Sequence, residues 1–287
     1  MSEMTALVFD GPGRMVVEPR QRPKAAPGEV VVAVSAAGIC GSELTSFTGD
    51  STRRPPGRVF GHEIAGTVTS VGPGSPAELL GRRIAVNPLM PCGRCPTCAS
   101  GRTNACPNRS LLGMQVDGGF AEEVAVPASA ARELGDLGDI PGTLVEPLAN
   151  AVHVARLLPG VIGEHILVFG AGAIGLCVVS VLRHAGAGTL TVVDPVPARR
   201  ELALRAGAQA ALEPERTPEL GEADHVVDAA GVTSSRRQAI SSCAAGGSIV
   251  LLGLHTAESE LPINAAVAKE LTFQCSYAYT ARDFEAA

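Results

Sequence analysis

The stretch that decides the fold is Ile166–Asp194, which reads ILVFGAGAIGLCVVSVLRHAGAGTLTVVD. It opens on a short apolar run, Ile166–Phe169, that is typical of a buried strand. A second apolar run, Leu190–Val193, is followed at once by Asp194. Between the two runs lie a glycine-rich turn and a helical pattern of apolar residues that stops at Gly186. The order of strand, glycine turn, helix, strand and acid predicts a nucleotide-binding unit.

The glycine-rich turn has the pattern G-x-G-x-x-G, formed by Gly170, Gly172 and Gly175. The first glycine permits a tight turn, and the second lets backbone N–H groups approach a pyrophosphate. The third lets the helix and the strand pack closely. Ala173 and Ile174 begin the helix, whose N-terminus favours the negative charge of a phosphate. These residues are therefore predicted to bind the cofactor.

Asp194 stands where a carboxylate would accept hydrogen bonds from the hydroxyls of the adenosine ribose. The same charge would repel a 2′-phosphate, so the sequence predicts NAD rather than NADP. Arg199 follows in a helical stretch, where it either lies near the adenosine or belongs to a solvated face. Because glycine turns are common, the prediction depends on the acid that follows the second strand. The glycine-interrupted run Ile166–Leu182 is short for a membrane span.

Length and composition exclude several classes of protein. A chain of 287 residues is long enough for two modest domains. The net charge of −6 argues against a general nucleic-acid binder. The N-terminal segment lacks the apolar core of a signal peptide, which predicts a cytoplasmic protein. In a reducing compartment, the 8 cysteines indicate metal sites or free thiols rather than disulfides.

The character of the chain changes near its midpoint. Short apolar strands broken by glycine and proline dominate residues 1–147, which predicts a β-rich domain with an irregular path. From Val161 onward strands and helices alternate, which predicts a parallel, doubly wound sheet in residues 148–287. Leu271–Ser276 alternates apolar and polar residues, so we expect it at an edge of that sheet.

Four cysteines crowd a loop rich in proline and glycine at about residues 91–107. Cys92, Cys95, Cys98 and Cys106 have the spacing C-x2-C-x2-C-x7-C. Four thiolates so close in sequence can form a tetrahedral Zn²⁺ site with no open position, which would make the site structural. An iron–sulfur cluster uses the same ligands, and free thiols are the remaining alternative. Since the loop has almost no core of its own, metal binding would supply much of its order.

Three further residues have side chains suited to a second zinc site. Cys40 offers a thiolate and His62 an imidazole, both of which Zn²⁺ prefers. Glu146 precedes Pro147 at a predicted helix N-terminus, where it is either a cap or a carboxylate ligand. Taken singly, a cysteine or histidine of this kind is commonly a buried structural residue. Spacing alone does not bring these side chains together.

These segments together resemble the zinc-containing, medium-chain alcohol dehydrogenase family. The signatures occur in family order over nearly the whole chain, as Cys40-Gly41-Ser42, Gly61-His62-Glu63, the four-cysteine loop and the glycine turn with Asp194. Glu146-Pro147-Leu148 is similar to the polyol (sorbitol-type) and threonine dehydrogenase branches. The resemblance implies an α/β protein with a GroES-like catalytic domain, a Rossmann domain and a catalytic zinc in the cleft between them.

The same resemblance assigns ligands to the catalytic zinc. Cys40 and His62 are expected as direct ligands. Glu63 is either the third ligand or a neighbour of the ligands, and Glu146 binds the zinc directly or through water. The four cysteines of the loop would hold the structural zinc, so the expected metal content is one catalytic and one structural Zn²⁺.

The resemblance also implies a proton relay that includes Ser42. Polyol-type relatives commonly read C-G-S-D-x-H, with the histidine helping to carry protons. In this chain Thr45 occupies the histidine position. A threonine hydroxyl can form hydrogen bonds but cannot take up a proton near neutral pH.

The function implied is a zinc-dependent oxidoreductase that transfers hydride between a secondary alcohol and NAD. The alcohol is expected to be a polyol, sugar or amino alcohol, and the assembly a homodimer or homotetramer without nucleic-acid or membrane partners. Chains of the family continue beyond Ala287, so the alternative is an impaired or truncated member that binds zinc and NAD. Zinc-free quinone or enone reductases generally lack both the four-cysteine loop and the His62-Glu63 pair.

Overall fold

The computed structural model describes residues 2–287, which form two compact units that meet in the chain between Glu146 and Pro147. The first unit is rich in strands, and the second alternates strands with helices. This confirms the predicted α/β fold, with a β-rich first part and a doubly wound parallel sheet in the second. No helix of residues 2–287 has the length and apolar character that crossing a membrane requires.

The strands of the first unit form three antiparallel sheets. The strands are β1 (Glu3–Gly11), β2 (Arg14–Gln21), β3 (Glu29–Gly38), β4 (Arg58–Val59), β5 (Glu63–Val71), β6 (Arg83–Val86), β7 (Leu89–Met90), β8 (Ser110–Leu111), β9 (Glu123–Pro127) and β10 (Ala131–Glu133). The largest sheet has the order β10-β6-β5-β3-β9, and the smaller ones are β2-β1-β4 and β7-β8. Three short helices accompany them, which are α1 (Gly41–Thr48), α2 (Pro96–Ala99) and α3 (Asp139–Thr143).

The core of the first unit lies on one face of the five-stranded sheet. Val30 and Val32 of β3 pack there with Ile64 of β5 and Ile84 of β6, and each is at most 1% exposed. Val30 and Val32 are two residues apart, the spacing that places strand residues on the same face of a sheet. The strand β9 begins at Glu123, and the Phe120 backbone before it forms hydrogen bonds with Phe60 and Leu7.

The second unit is built around a six-stranded parallel sheet. Its strands are β11 (His165–Phe169), β12 (Thr189–Val193), β13 (Ala210–Leu212), β14 (Ala223–Asp228), β15 (Cys243–Leu251) and β16 (Thr272–Cys275), in the order β13-β12-β11-β14-β15-β16. The helices are α4 (Val145–Leu157), which begins at the junction of the units, α5 (Ala173–His184), α6 (Pro197–Arg205), α7 (Thr233–Ser242), α8 (Ile263–Ala268) and α9 (Ala281–Ala286).

The central strand β11 is buried on both faces, as a parallel sheet covered by helices requires. Ile166 and Val168 face a core shared with Val178 of α5. Leu167 and Phe169 face the opposite core, which includes Ile240 of α7. At the far side, β16 occupies the sheet edge, as its alternating sequence predicted. Phe273 on that strand is 37% exposed.

One buried carboxylate holds the last helix of the second unit. Asp283 of α9 is 1% exposed, and its Oδ2 accepts hydrogen bonds from the Thr280 hydroxyl (2.7 Å) and from His153 Nδ1 of α4 (2.9 Å). Its Oδ1 accepts a bond of 2.6 Å from Arg156. Burial alone would raise the pKa of Asp283, but the His153 and Thr280 hydrogen bonds lower it to about 2.

We predict that Asp283→Asn lowers the free energy of unfolding by about 1–3 kcal/mol near neutral pH, because it leaves buried donors with a weaker partner. The folded pKa lies below the unfolded one, so the stabilisation is complete above about pH 4 and is lost as the pH falls through about 2. Urea unfolding of both proteins between pH 7 and pH 2 checks this. Asp10→Asn, which breaks an exposed pair with Arg14, is the control. A constant difference at every pH would contradict the prediction.

Candidate zinc and dinucleotide sites

Three predicted zinc ligands converge in the first unit. Cys40 directly precedes α1, and His62 and Glu63 stand at the start of β5. Antiparallel pairing of β3 with β5 places Gly38 opposite Glu63, which brings the two segments together. The Cys40 thiol, a His62 ring nitrogen and a Glu63 carboxylate oxygen all lie within 4.8 Å of one another. Sulfur, imidazole and carboxylate are the donors that zinc takes in proteins, so this set fits the metal.

Glu43 organises these ligands, and the sequence reading missed it. This residue of α1 is 3% exposed, and its Oε2 accepts a hydrogen bond of 2.9 Å from the Cys40 N–H. Its Oε1 lies 2.7 Å from the Gly61 N–H and 3.0 Å from His62 Nδ1. Since Nδ1 is engaged, Nε2 is the nitrogen left for a metal. An acid in the first turn of a helix that begins beside a ligand was the available signal.

The carboxylates around His62 shift the pKa values of the cluster. Burial, with the nearby charge of Glu146, raises the pKa of Glu63 to about 7, although His62 opposes this. Burial lowers the pKa of His62, but hydrogen bonds to Cys40 and Glu43 and the charge of Glu146 outweigh it. The pKa of His62 is therefore raised well above its ordinary value. A divalent cation between these groups would relieve the repulsion between the two glutamates.

The remaining predicted residues of this site are placed differently. Glu146 is buried and acts on Glu63 and His62 through its charge, but it is not part of the group within 4.8 Å. The sequence left Glu63 and Glu146 open as third ligand, and the geometry groups Glu63 with Cys40 and His62. The Thr45 hydroxyl donates to the Ser42 carbonyl, 3.1 Å away, as threonines in helices often do. The Ser42 hydroxyl accepts a hydrogen bond from Arg54.

The four cysteines of the loop also converge. The Sγ atoms of Cys92, Cys95, Cys98 and Cys106 lie within 4.8 Å of one another, and three of these pairs are 3.5–3.8 Å apart. A tetrahedral zinc with bonds of about 2.3 Å places its sulfurs about 3.8 Å apart. The Arg94 N–H and the Cys106 thiol lower the pKa of Cys92 to about 6, which favours the thiolate that a metal needs. This geometry fits a closed structural site.

The glycine turn of the second unit has the shape that a dinucleotide requires. A Cβ atom on Gly175 would lie 1.9 Å from the Gly170 carbonyl oxygen, so only glycine allows this approach of helix and strand. A Cβ atom on Gly172 would meet nothing within 4 Å, which leaves open space in front of the N-terminus of α5. Ala173 begins that helix, whereas the Ile174 side chain packs against the core.

A cavity of about 350 Å³ extends from this turn and is lined by Gly170, Gly172, Asp194 and Arg199. Asp194 is 2% exposed, and its carboxylate accepts hydrogen bonds of 2.8 Å from the Ala171 and Val196 N–H groups. An ionised carboxylate keeps further acceptor capacity for ribose hydroxyls. Arg199 Nη1 lies 3.9 Å from the Asp194 carboxylate, at the wall of the cavity. The donors and the open turn therefore fit a dinucleotide.

Comparisons with known proteins agree with this geometry. The model of the alcohol dehydrogenase GroES-like domain matches residues 26–136, and that of the zinc-binding dehydrogenase matches residues 173–287. L-galactonate-5-dehydrogenase of Escherichia coli (strain K12) is 31% identical over 293 residues, covering 99% of this chain and 86% of the relative. The chain belongs to the zinc-containing, medium-chain alcohol dehydrogenase family.

Solved structures of relatives carry the cofactor. The alcohol dehydrogenase RspB of E. coli CFT073, complexed with NADH, is 30% identical with a TM-score of 0.92, covering 99% of this chain and 86% of that one. A protein assigned as a zinc-binding dehydrogenase of Sinorhizobium meliloti 1021, bound to NADP, is 32% identical with a TM-score of 0.93, covering 100% and 87%. The dehydrogenase described here is a zinc- and NAD-dependent oxidoreductase, as predicted. An impaired member without turnover is not favoured.

We predict that the dehydrogenase binds about two zinc ions per chain, and that Cys40→Ser and Cys95→Ser each lose one of them. Each substitution removes a thiolate from a different group of ligands. Metal analysis by mass spectrometry after dialysis checks the counts, and Cys275→Ser, at an exposed position of β16, is the control. Retention of both zinc ions by Cys40→Ser would contradict the assignment of the first site.

Proposed function

We propose that the enzyme oxidises a secondary alcohol of a polyol, sugar or amino alcohol with NAD, using Cys40, His62 and Glu63 as ligands of a catalytic zinc. The observation that carries this proposal is the convergence of those three side chains in the first unit. L-galactonate-5-dehydrogenase, by its name, oxidises a sugar acid, which supports a polyhydroxylated substrate. We also propose residues 1–147 as the catalytic domain and residues 148–287 as the dinucleotide-binding domain.

Each residue has a role that follows from its chemistry. A bound zinc supplies a Lewis acid that polarises the substrate oxygen and lowers the pKa of its hydroxyl. Glu43 holds His62 in the orientation and tautomer that present Nε2, and Glu146 adds negative charge nearby. Ser42 accepts the substrate proton. Thr45, which donates to the Ser42 backbone, supports the first turn of α1 rather than carrying a proton.

The second unit binds and orients the cofactor. The open turn at Gly172 and the N-terminus of α5 favour the pyrophosphate, and Asp194 accepts from the adenosine ribose. Arg199 lies beside that carboxylate and contributes to the wall around the adenosine. The four cysteines bind the structural zinc, which stabilises a loop with little core of its own.

We further propose that the protein is cytoplasmic and forms a homodimer or homotetramer. Within residues 2–287 none of the 8 cysteines forms a disulfide, which supports a reducing compartment. The edge strand β16 has unpaired backbone groups on one side and exposes Phe273 and Cys275, which supports pairing of subunits along this edge. Within residues 2–287 we assign no nucleic-acid surface, because the net charge of the chain is −6.

The substrate proposal predicts NADH formation from one or more secondary alcohols in a panel of polyols, sugar acids and amino alcohols. Absorbance at the NADH band measures it, with primary alcohols in parallel. Cys40→Ser should lower kcat/KM by about 100-fold or more, because the polarising metal is lost while the loop zinc remains. Turnover that survives complete removal of the catalytic zinc would refute the mechanism.

The cofactor proposal predicts that Asp194→Asn narrows the preference for NAD over NADP by about tenfold or more, since the charge facing a 2′-phosphate is removed. The ratio of kcat/KM for the two cofactors at fixed alcohol concentration measures the preference. Asp136→Asn, at an exposed position of the first unit, should leave the ratio unchanged. An unaltered ratio in Asp194→Asn would exclude this residue as the determinant.

A further inference from the structure

Arg54 is a cation buried beside the zinc ligands. It lies in the segment between α1 and β4, is 2% exposed, and its Cζ stands 5.2 Å from the centroid of the Phe60 ring. Burial lowers its pKa, against the charges of Glu43 and Cys40, but a guanidinium stays protonated in proteins. Burying a charged group costs free energy unless its N–H groups form hydrogen bonds, so the hydrogen-bond partners of Arg54 indicate its role.

Three of the four hydrogen bonds that Arg54 donates go to residues of α1. Its Nη1 donates to the Ser42 carbonyl at 2.7 Å and to the Ser46 hydroxyl at 3.3 Å. Its Nε donates to the Gly113 carbonyl at 2.7 Å. These three bonds, two of them to backbone carbonyls, hold the guanidinium in place. The fourth is different, because Nη2 donates to the Ser42 hydroxyl oxygen itself, 3.1 Å away.

This fourth bond determines what the Ser42 hydroxyl can do. A serine hydroxyl has two acceptor lone pairs and one O–H donor. Arg54 occupies one lone pair and, being always protonated, cannot receive the serine proton. The hydroxyls of Thr45 and Ser46 both donate to the Ser42 carbonyl oxygen, so neither donates to the Ser42 hydroxyl oxygen. One lone pair and one O–H therefore remain, in directions set by the guanidinium.

We propose that Arg54 is the positioning residue that orients Ser42 for proton transfer, an inference that rests on the proposed function. The O–H bond of the substrate breaks as its proton forms a new O–H bond on the free lone pair of Ser42. The original Ser42 proton leaves to water, while the substrate C–H bond breaks and its hydride passes to NAD⁺. The products are the carbonyl compound, NADH and one proton, and Arg54 stays charged throughout.

Arg54 acts on the Ser42 hydroxyl through a directed hydrogen bond. Thr45 stands at the position where polyol-type relatives commonly carry a histidine, so no histidine follows Ser42 along α1. The titrating group on that helix, the Glu43 carboxylate, is engaged by the Cys40 and Gly61 N–H groups and by His62. A fixed hydrogen-bond donor in place of a proton carrier restricts the route of the proton. The Ser42 hydroxyl is left with one lone pair that can receive a proton and one O–H that can release one. Preorganisation of this kind acts on kcat rather than on cofactor binding.

A double-mutant cycle tests the proposal. Arg54→Met should lower kcat for the alcohol by about tenfold or more, with KM for NAD unchanged. In a Ser42→Ala background, Arg54→Met should lower kcat by less than about twofold, because the hydroxyl that Arg54 orients is absent. Arg54→Lys, which keeps the charge and a donor, should recover part of the loss. Ser46→Ala, which removes the other hydroxyl partner of Arg54, should leave kcat within about twofold of the parent.

Metal readouts separate orientation from site integrity. Arg54→Met should keep both metals, and its cobalt-substituted form should have the visible spectrum of the parent. Loss of the metal at Cys40, or an equal fall in kcat in both backgrounds, would overturn the role of Arg54 and leave the proposed function standing. A parent enzyme that oxidises no alcohol would overturn the proposed function as well. Should Arg54→Met fail to fold, Arg54→Lys carries the same cycle, with a smaller cost that must again vanish without the Ser42 hydroxyl.

Discussion

A single buried carboxylate links the zinc-binding residues of the first unit. Glu43 accepts hydrogen bonds from the backbone of Cys40 and Gly61 and contacts the ring of His62. Burial raises its pKa, but the hydrogen bond and charge of His62 and these two N–H groups lower the value below its ordinary range. The ionised carboxylate therefore sits in the first turn of α1, where the helix dipole also favours it. The Glu43 side chain thus holds the start of α1 close to the start of β5.

Close backbone packing makes this arrangement possible. A Cβ atom on Gly118 would lie 2.1 Å from the Gly61 carbonyl oxygen, so the chain beside His62 can be approached only by glycine. The second unit uses the same means where Gly175 meets Gly170. In both units, a site for a charged ligand lies where two backbone segments approach without side chains between them. A methyl group at either position would displace the residues that surround the ligand.

Much of the fold could be predicted because it follows a local period. The strands β6 and β11 coincide closely with apolar runs in the sequence, and the glycine turn with its acid defines the first half of the parallel sheet. The strand β2 could not be predicted this way, because Arg14–Gln21 has no clean alternation and is held by pairing with β1. The contact of His153 with Asp283 joins residues 130 positions apart, which no local pattern records. The roles of Glu43 and Arg54 were missed for a related reason, since the hydrogen bonds of Glu43 to Gly61 and His62 and those of Arg54 to Ser42 and Gly113 join segments that are separate in sequence.

The sequence by itself determined the four-cysteine site and the dinucleotide turn, because in each the necessary groups lie within one short segment. It also determined which residue types could bind a catalytic zinc. Only the tertiary structure decided that Cys40, His62 and Glu63 form the group while Glu146 stands outside it. The register of β3 against β5 places Glu63 opposite Gly38 and therefore near Cys40, and register depends on the packing of a whole sheet. The bond from Arg54 to the Ser42 hydroxyl is likewise a product of long-range packing, which places a buried charge where the sequence shows only an arginine in a loop.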